Sequence, residues 1–416
     1  MSGRVHPPQS DCDGMFLIRR PVLDRNHNVW GYEMAAGGGV GTVEDAGDCV
    51  LGEGVEVGLA GVGEAAAILA PFTRNMLLGG RYLDLPAGRA FIQLGPEVDE
   101  DGDALAAVRE AKEAGYGLVL DSYLPDMGRE GFAVLADMLK IPVSGRTPRE
   151  VIATASRLKK HPAKMVAMGV QDWQTFEGVR ALGFSFYQGP YFGQPRVEPG
   201  SKLSGNTLSK LRTLGELLQP GRDLKEFAPI IASDPMLSYR LLRFINSAAF
   251  CLVQRVASVE QAVNLLGMSA LRQWAMFMVV SDLDGTGKGE ELAYLALQRG
   301  RFLEQCSDDV DVRPVSSQAM FLAGLFSMLD ALLGLPMREA LRDLPLEKPI
   351  LDGLSGKPGW VRQWLDLVAA VEGGDWPRAI QICDQLGVVP RIAAVKYLKA
   401  SAWAGERFSF SRKDEG

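Results

Sequence analysis

From Phe16 to Pro195, short runs of β-type residues alternate with stretches whose apolar positions recur at helical spacing. FLIRRPVL, VWGYEM, RAFIQL, GYGLVLDSY, DMLKIPV, KMVAMGV and FSFYQGPYF predict strands. Residues 104–114, 148–160 and 173–182 predict helices between them. Strand, helix, strand in repetition is the order of an α/β barrel or a doubly wound sheet. Residues 37–63 are rich in glycine, which weakens any helix there and predicts an irregular connection.

Turn formers cluster in PRVEPGSKLSGN, residues 195–206, and the strand signal ends with them. A domain boundary belongs there. Leu208, Leu211, Leu214 and Leu218 form a helical stripe, and another helix opens near Asp223. Asp234 is an N-cap acid and Pro235 suits the first helical position, so a helix should run from Pro235 to about Asn246. Ser258 with Gln261 offers a capping box, and Gly267 a helix stop. Residues 319–335 are the most apolar run, but Asp330 interrupts them and they are shorter than a membrane span, so they predict a buried helix. Trp274, Met276, Phe277 and Met278 read as core. The second half is all helix.

Length sets the scale: 416 residues suit two domains better than one core. Hydrophobic residues at 47% and charged residues at 23% describe a globular chain. A net charge of -7 argues against a nucleic-acid surface, which needs a clustered basic face. Pairs such as Arg19–Arg20 and Lys159–Lys160 read as solvated surface. Cys12, Cys49, Cys251, Cys306 and Cys383 are widely spaced without a CxxC, which predicts reduced thiols in a cytosol and neither zinc nor a disulfide frame. The first residues, MSGRVHPPQSDCDG, lack an apolar h-region and read as a polar tail, so export and a membrane location are not expected.

Val57, Leu59, Gly61, Gly63 and Ala66, with Asp84 downstream, match a dinucleotide fingerprint, but Gly54 and Gly58 weaken the strand that should precede it. GTGKG, starting at Gly285, lacks the spacing of a phosphate-cradling loop and reads as a helix connection. Metal-assisted hydrolysis needs several convergent carboxylates at strand ends. The strand ends offer Glu33, Gln93, Asp121 then Ser122, Lys140, Met168 and Gln188, of which only Glu33 and Asp121 are carboxylates. That is a poor metal site.

FLIRRPVLDRNHNVWGYEM, GYGLVLDSY, LADMLKIPV and FSFYQGPYFGQP resemble, in order, the segments of EAL domains, specifically those fused to HDOD modules. The resemblance implies magnesium- or manganese-dependent hydrolysis of cyclic di-GMP, and each motif position can be compared. Glu33 matches the glutamate of E-A-L, while Met34 and Ala35 replace the rest and Gly37 stands where an arginine for the ligand phosphate is expected. Gln93 occupies the place of a metal-binding asparagine, and the next strand's glutamate has no counterpart between Glu97 and Ala104. Asp121 keeps the first acid of D-D-F and Ser122 has lost the second. Lys140 keeps the catalytic-site lysine, but Pro142 replaces the aspartate after it. Met168 and Gln171 replace the acids of A-E-G-V-E, and Gln188 with Gly189 retains Q-G. Several acids missing together argue against turnover, because removal of one catalytic acid or base typically costs about a hundredfold or more.

DLKEFAPIIASDPMLSYRLLRFINSAAF and VASVEQAVNLLGMSALRQW resemble the HDOD signature. HDOD domains are related to HD phosphohydrolases, whose metal site needs histidines. The histidines here are His6, His27 and His161, so the second half has none. Asp234, Pro235, Leu237, Asn246, Ser247, Leu266 and Gly267 of this signature have structural roles as caps, packing and turns.

The expected fold is an α/β barrel, a degenerate TIM-like EAL domain over residues 15–198, followed by an all-α HDOD domain over 207–405. Polar tails of 1–14 and 406–416 and a linker of 199–206 complete the chain. The expected function is a non-catalytic cytoplasmic adaptor in cyclic di-GMP-related signalling, with no cofactor and no metal. Its partners would be signalling proteins met through the HDOD domain, not nucleic acid or membrane, and a homo-oligomer is left open. An active cyclic di-GMP phosphodiesterase or a cyclic di-GMP receptor is the alternative. The residues of the vestigial pocket are Glu33, Gln93, Asp121, Lys140 and Gln188.

Overall fold

The computed structural model describes residues 14–39, 41–55, 66–197, 203–219, 224–247 and 256–412. The chain divides into two units: Met1–Gln194 with Gln305–Val312 and Asp366–Gly405, and Pro195–Glu304 with Arg313–Leu365 and Glu406–Gly416.

In the first unit, strands β1 (Phe16–Asp24), β2 (Val29–Gly37), β3 (Ala67–Phe72), β4 (Ala90–Leu94), β5 (Gly117–Leu120), β6 (Met138–Pro142), β7 (Lys164–Met168) and β8 (Phe186–Gln188) close into a barrel in sequence order. β1 is antiparallel to β2 and to β8, and the other pairs are parallel. The cause is local. β1 and β2 are joined by a tight turn in which the Asp24 carboxylate accepts from the amides of Asn26 and Asn28 and His27 adopts φ 64°. A short turn can link only antiparallel strands, whereas parallel strands need a longer crossover. Helices Gly102–Glu113, Pro148–Leu158 and Trp173–Ala181 supply three crossovers, and each is N-capped, by Asp101, Thr147 and Asp172. Val22, Leu69, Val119, Met138, Val166 and Phe186 pack inside, with Trp30 and Phe91 against them, so the barrel has a filled core and not a pore.

The strand missing from the sequence-based set is β3. AILAPF is buried almost throughout and reads as a continuous apolar run, with no alternation to mark it. Pro71 also counts against a central strand, yet it pairs in register with Gln93. Most of the dinucleotide fingerprint, Val57 to Gly63, lies outside the described residues. Asp84, its acidic member, ends a short turn and pairs with Arg81.

Residues 366–405 correct the expected domain division, which placed them in the helical domain. They group with the barrel because Phe16 of β1 stacks on Trp376 at 6.3 Å and meets Tyr397 edge-on at 6.2 Å. The proposed linker is also too long: a helix begins at Gly205, capped by Ser204. Cys49, buried at the end of the Val43–Cys49 helix, is disulfide-bonded, whereas Cys306 and Cys383 are free and buried. The expectation of five reduced thiols therefore fails at Cys49, since pairing depends on spatial approach that sequence spacing does not reveal.

The described residues of the second unit form helices and no strand. Leu214, Leu217 and Leu218 of the first helix are buried, and Trp274, Met276, Phe277 and Met278 are core as expected. The apolar run 319–335 is not one helix but two, Ser317–Phe326 and Leu329–Leu333. The Ser327 hydroxyl donates back to the Gly324 carbonyl where the first ends. GTGKG is a connection: the Gly287–Ser307 helix starts within it.

Candidate functional site

Parallel strands direct the side chains at their C-terminal ends into one mouth, and here those ends bring together all five residues expected of the vestigial pocket. Glu33 on β2 is buried, and its two carboxylate oxygens are held from three sides. Lys140 Nζ on β6 donates to Oε1 at 2.8 Å, Gln93 Nε2 on β4 donates to the same oxygen at 2.8 Å, and Gln188 Nε2 on β8 donates to Oε2. Gln93 Nε2 also donates to Asp121 Oδ2 at 3.0 Å, and Lys140 Nζ lies 3.5 Å from that oxygen. Lys140 is fully buried, so its ammonium has exchanged water for these partners.

Arg20 completes the cluster. The hairpin register pairs Arg20 with Glu33 across β1 and β2, and Nη1 lies 3.9 Å from Glu33 Oε2. Burial alone would raise the Glu33 carboxyl, but Lys140 and Arg20, with the Lys140 and Gln93 hydrogen bonds, outweigh it and hold Glu33 down at about 2. The reading of Arg19 and Arg20 as plain solvated surface is thereby corrected. Arg19 lies over the Tyr32 ring at 4.6 Å, and Arg20 spans from Glu33 to the carbonyls of Glu372 and Gly373. The available signal was the turn DRNHN between two strand patterns, which sets a register placing Arg20 opposite Glu33.

The other motif positions have structural roles. Ser122 adopts φ 52°, and its hydroxyl donates to Asp121 Oδ1 at 3.3 Å. A Cβ on Gly189 would lie 2.2 Å from the Val170 carbonyl oxygen, so glycine is required there by close approach alone. The acids after β4 serve elsewhere. Glu100 accepts from the amides of Gly131 and Phe132, and Asp101 caps its helix and pairs with Arg74. Gln171 is exposed, and its carbonyl accepts from Gln194.

Magnesium takes an octahedral shell of oxygen ligands, and two ions need several shared carboxylates. The donor set does not match that demand. Glu33 and Asp121 already face two cationic groups, Lys140 and Arg20, and both Glu33 oxygens accept from protein donors. Met168 and Gln188, paired across β7 and β8, bring no carboxylate to the mouth. Among the described residues no group of three or more His, Cys, Asp or Glu is placed to hold a metal.

In the second unit the signature residues are caps and packing. The Asp234 carboxylate accepts from the amides of Met236 and Leu237 at the start of Pro235–Ile245, where Pro235 is the first helical residue. Leu237 is buried in the helix's apolar face. Asn246 ends the helix: its side-chain amide donates to the carbonyls of Leu242 and Val256 and accepts from the Val256 amide. The Ser247 amide donates to the Phe244 carbonyl. Ser258 accepts from the Gln261 amide as a capping box requires, but Gln261 returns the bond to Ala257, one residue early. Leu266 ends Val259–Leu266, and Gly267, at φ 75°, turns the chain through 119° into Met268–Ser281. Two substitutions follow from this geometry. Asp234→Ala should cost about 1 kcal/mol through its lost cap, and Gly267→Ala about 1–2 kcal/mol through a strained left-handed backbone. Denaturant unfolding of each variant checks both.

Residues 208–339 match the family model of the HDOD domain. The uncharacterized protein YuxH of Bacillus subtilis (strain 168) is 25% identical over 403 residues, spanning 94% of this chain and 98% of that protein. The cyclic di-GMP phosphodiesterase CdgJ of Vibrio cholerae serotype O1 is 28% identical over 340 residues, spanning 80% and 77%. Among solved structures, an EAL domain protein from Listeria monocytogenes EGD-e has 15% identity and a TM-score of 0.37, covering 46% of this chain and 94% of that one. The Bacillus subtilis YkuI protein, which has an EAL domain and was solved in complex with cyclic di-GMP and calcium, has 13% identity and a TM-score of 0.38, covering 62% of this chain and 74% of that one. The chain thus joins a closed eight-stranded barrel to a helical region that carries an HDOD domain.

Proposed function

We propose that this chain is a non-catalytic adaptor in cyclic di-GMP-related signalling and acts through protein contacts made by its HDOD domain. The observation that carries the reading is the occupancy of Glu33. Its oxygens accept from Lys140, Gln93 and Gln188, so the most buried carboxylate of the mouth is satisfied by the protein itself. Adding two divalent cations to a cluster whose carboxylates already face Lys140 and Arg20 would leave buried charge uncompensated. The similarity to CdgJ supports the signalling context, and its name is the reason to test the opposite reading directly.

Cyclic di-GMP titrated calorimetrically into the full chain, with and without magnesium, should give no site of micromolar affinity. The position expected to carry a phosphate-binding arginine is Gly37, and a bidentate guanidinium is a major source of phosphate recognition. A micromolar or tighter site lost in Gln188→Ala would replace the adaptor reading with that of a receptor. For the protein-contact part, cross-linking of the full chain to captured partners should place the cross-links within 208–339. Cross-links confined to the barrel would move recognition there.

A further inference from the structure

We propose that the C-terminal segment around residues 372–376 is a latch on the mouth of the barrel, docked in cis and able to open while the barrel stays folded. The proposal does not depend on whether the barrel turns over a nucleotide. At the end of β2, a Cβ built on Gly37 would lie 2.3 Å from Trp376 Nε1 and 2.5 Å from Cε2, so the indole is seated directly on the strand end. The other face of the contact is Phe16, the register partner of Gly37, which stacks on the indole at an interplanar angle of 11°. Thus Trp376 closes the β1–β2 side of the same mouth that holds Glu33.

A polar bond ties this apolar contact to the pocket. Arg20 donates through Nη2 to the Gly373 carbonyl at 3.1 Å and through Nε to the Glu372 carbonyl at 3.4 Å. These are terminal carbonyls of the Trp360–Gly373 helix, where a cation is favoured by the helix dipole. The chain then turns at Gly374, with φ 69°, and the amides of Gly374 and Asp375 donate to the carbonyls of Val371 and Ala370. A side chain at 374 would meet Arg20 as well as adopt a left-handed backbone, since its Cβ would lie 1.9 Å from Nη2. Arg20 therefore faces both ways, toward the Glu33 carboxylate and toward the latch. The groups facing it are Glu33, with Lys140 beyond it, and the carbonyls of Glu372 and Gly373.

The latch differs from the barrel strands in what holds it. The strands are tied into a closed ladder of backbone bonds, whereas residues 372–376 are half-buried or exposed and meet β1 and β2 through the Arg20 hydrogen bonds and the Trp376 ring. Such segments occupy the low-stability end of a structure and open on their own. Opening frees Nε and Nη2 of Arg20, while Nη1 stays by Glu33, and uncovers the stacked faces of Phe16 and Trp376 together.

Native-state amide exchange of the full chain tests this, with mass-spectrometric or NMR resolution. In the parent protein the amides of Gly374 and Asp375 should exchange at least about tenfold faster than those of Leu120 and Val166. Gly37→Ala should raise exchange at 374 and 375 by a further tenfold or so while leaving Leu120 and Val166 unchanged, and Arg20→Gln, which also removes a counter-charge from Glu33, should raise 374 and 375 about tenfold more than it raises Leu120 and Val166. Exchange of the segment at the rate of the barrel strands in the parent would overturn the latch, because the two would then open as one unit. So would rates at 374 and 375 unmoved in both variants. A cyclic di-GMP site, had calorimetry found one, would overturn the adaptor reading and leave these rates as the test of the latch.

Discussion

Lys140→Met should destabilise the barrel by about 3–5 kcal/mol, the usual cost of leaving one member of a buried ion pair without its partner. Lys140 is fully buried and gives Glu33 its closest charged contact, at 2.8 Å. Without it the Glu33 charge keeps only Gln93, Gln188 and the more distant Arg20. Adding Glu33→Gln to the Lys140→Met variant should recover more than half of the loss, because the double variant has no buried charge to compensate. Acid titration gives a second readout with a fixed sign. The Glu33 carboxyl lies at about 2 in the folded protein against an ordinary value of 4.5. A depressed carboxyl contributes stability that is fully present above the unfolded value and is lost as pH falls from about 4.5 toward 2. The contribution is on the order of 3 kcal/mol, and Glu33→Gln should flatten the profile in that window. A Lys140→Met variant that unfolds within about 1 kcal/mol of the parent would contradict the electrostatic account of the pocket.

Leu241→Asp should be equally severe in the second unit, at about 4 kcal/mol or more. Leu241 is fully buried beside Leu237, Phe244 and Ile245 on the inner face of Pro235–Ile245. A carboxylate there would be left without a partner in an apolar environment. Met236, one residue into the same helix but 54% exposed, provides the control: Met236→Asp should shift unfolding by no more than about 0.5 kcal/mol. Scanning calorimetry distinguishes the two, since Leu241→Asp should move or abolish the transition of the helical unit and Met236→Asp should leave it in place.

What could be read from the sequence was what local chemistry determines. Asp234 with Pro235 announced a helix start and caps the helix that follows, and apolar spacing over 148–160 and 173–182 marked two more helices, which the structure shows capped by Thr147 and Asp172. The five pocket residues were legible because each sits at the end of a recognisable strand pattern, and the barrel brings those ends together. β3 was hidden because burial on both faces removes alternation, the signal by which a strand is recognised. Arg20 was hidden for a different reason. Its role depends on hairpin register on one side and on a segment more than 350 positions away on the other. The return of residues 366–405 to the barrel was invisible likewise, since an amphipathic helix shows that it has a buried face but not which body covers it.

The most direct test of the central claim is turnover by the full chain. Cyclic di-GMP incubated with the purified protein and magnesium or manganese, with products separated chromatographically, should give no linear dinucleotide above the protein-free blank. Both Glu33 oxygens are occupied by Lys140, Gln93 and Gln188, and among the described residues no group of three or more His, Cys, Asp or Glu is placed to bridge two ions. Metal-dependent hydrolysis that disappears in Glu33→Ala or Asp121→Ala would contradict the account and make the barrel an enzyme.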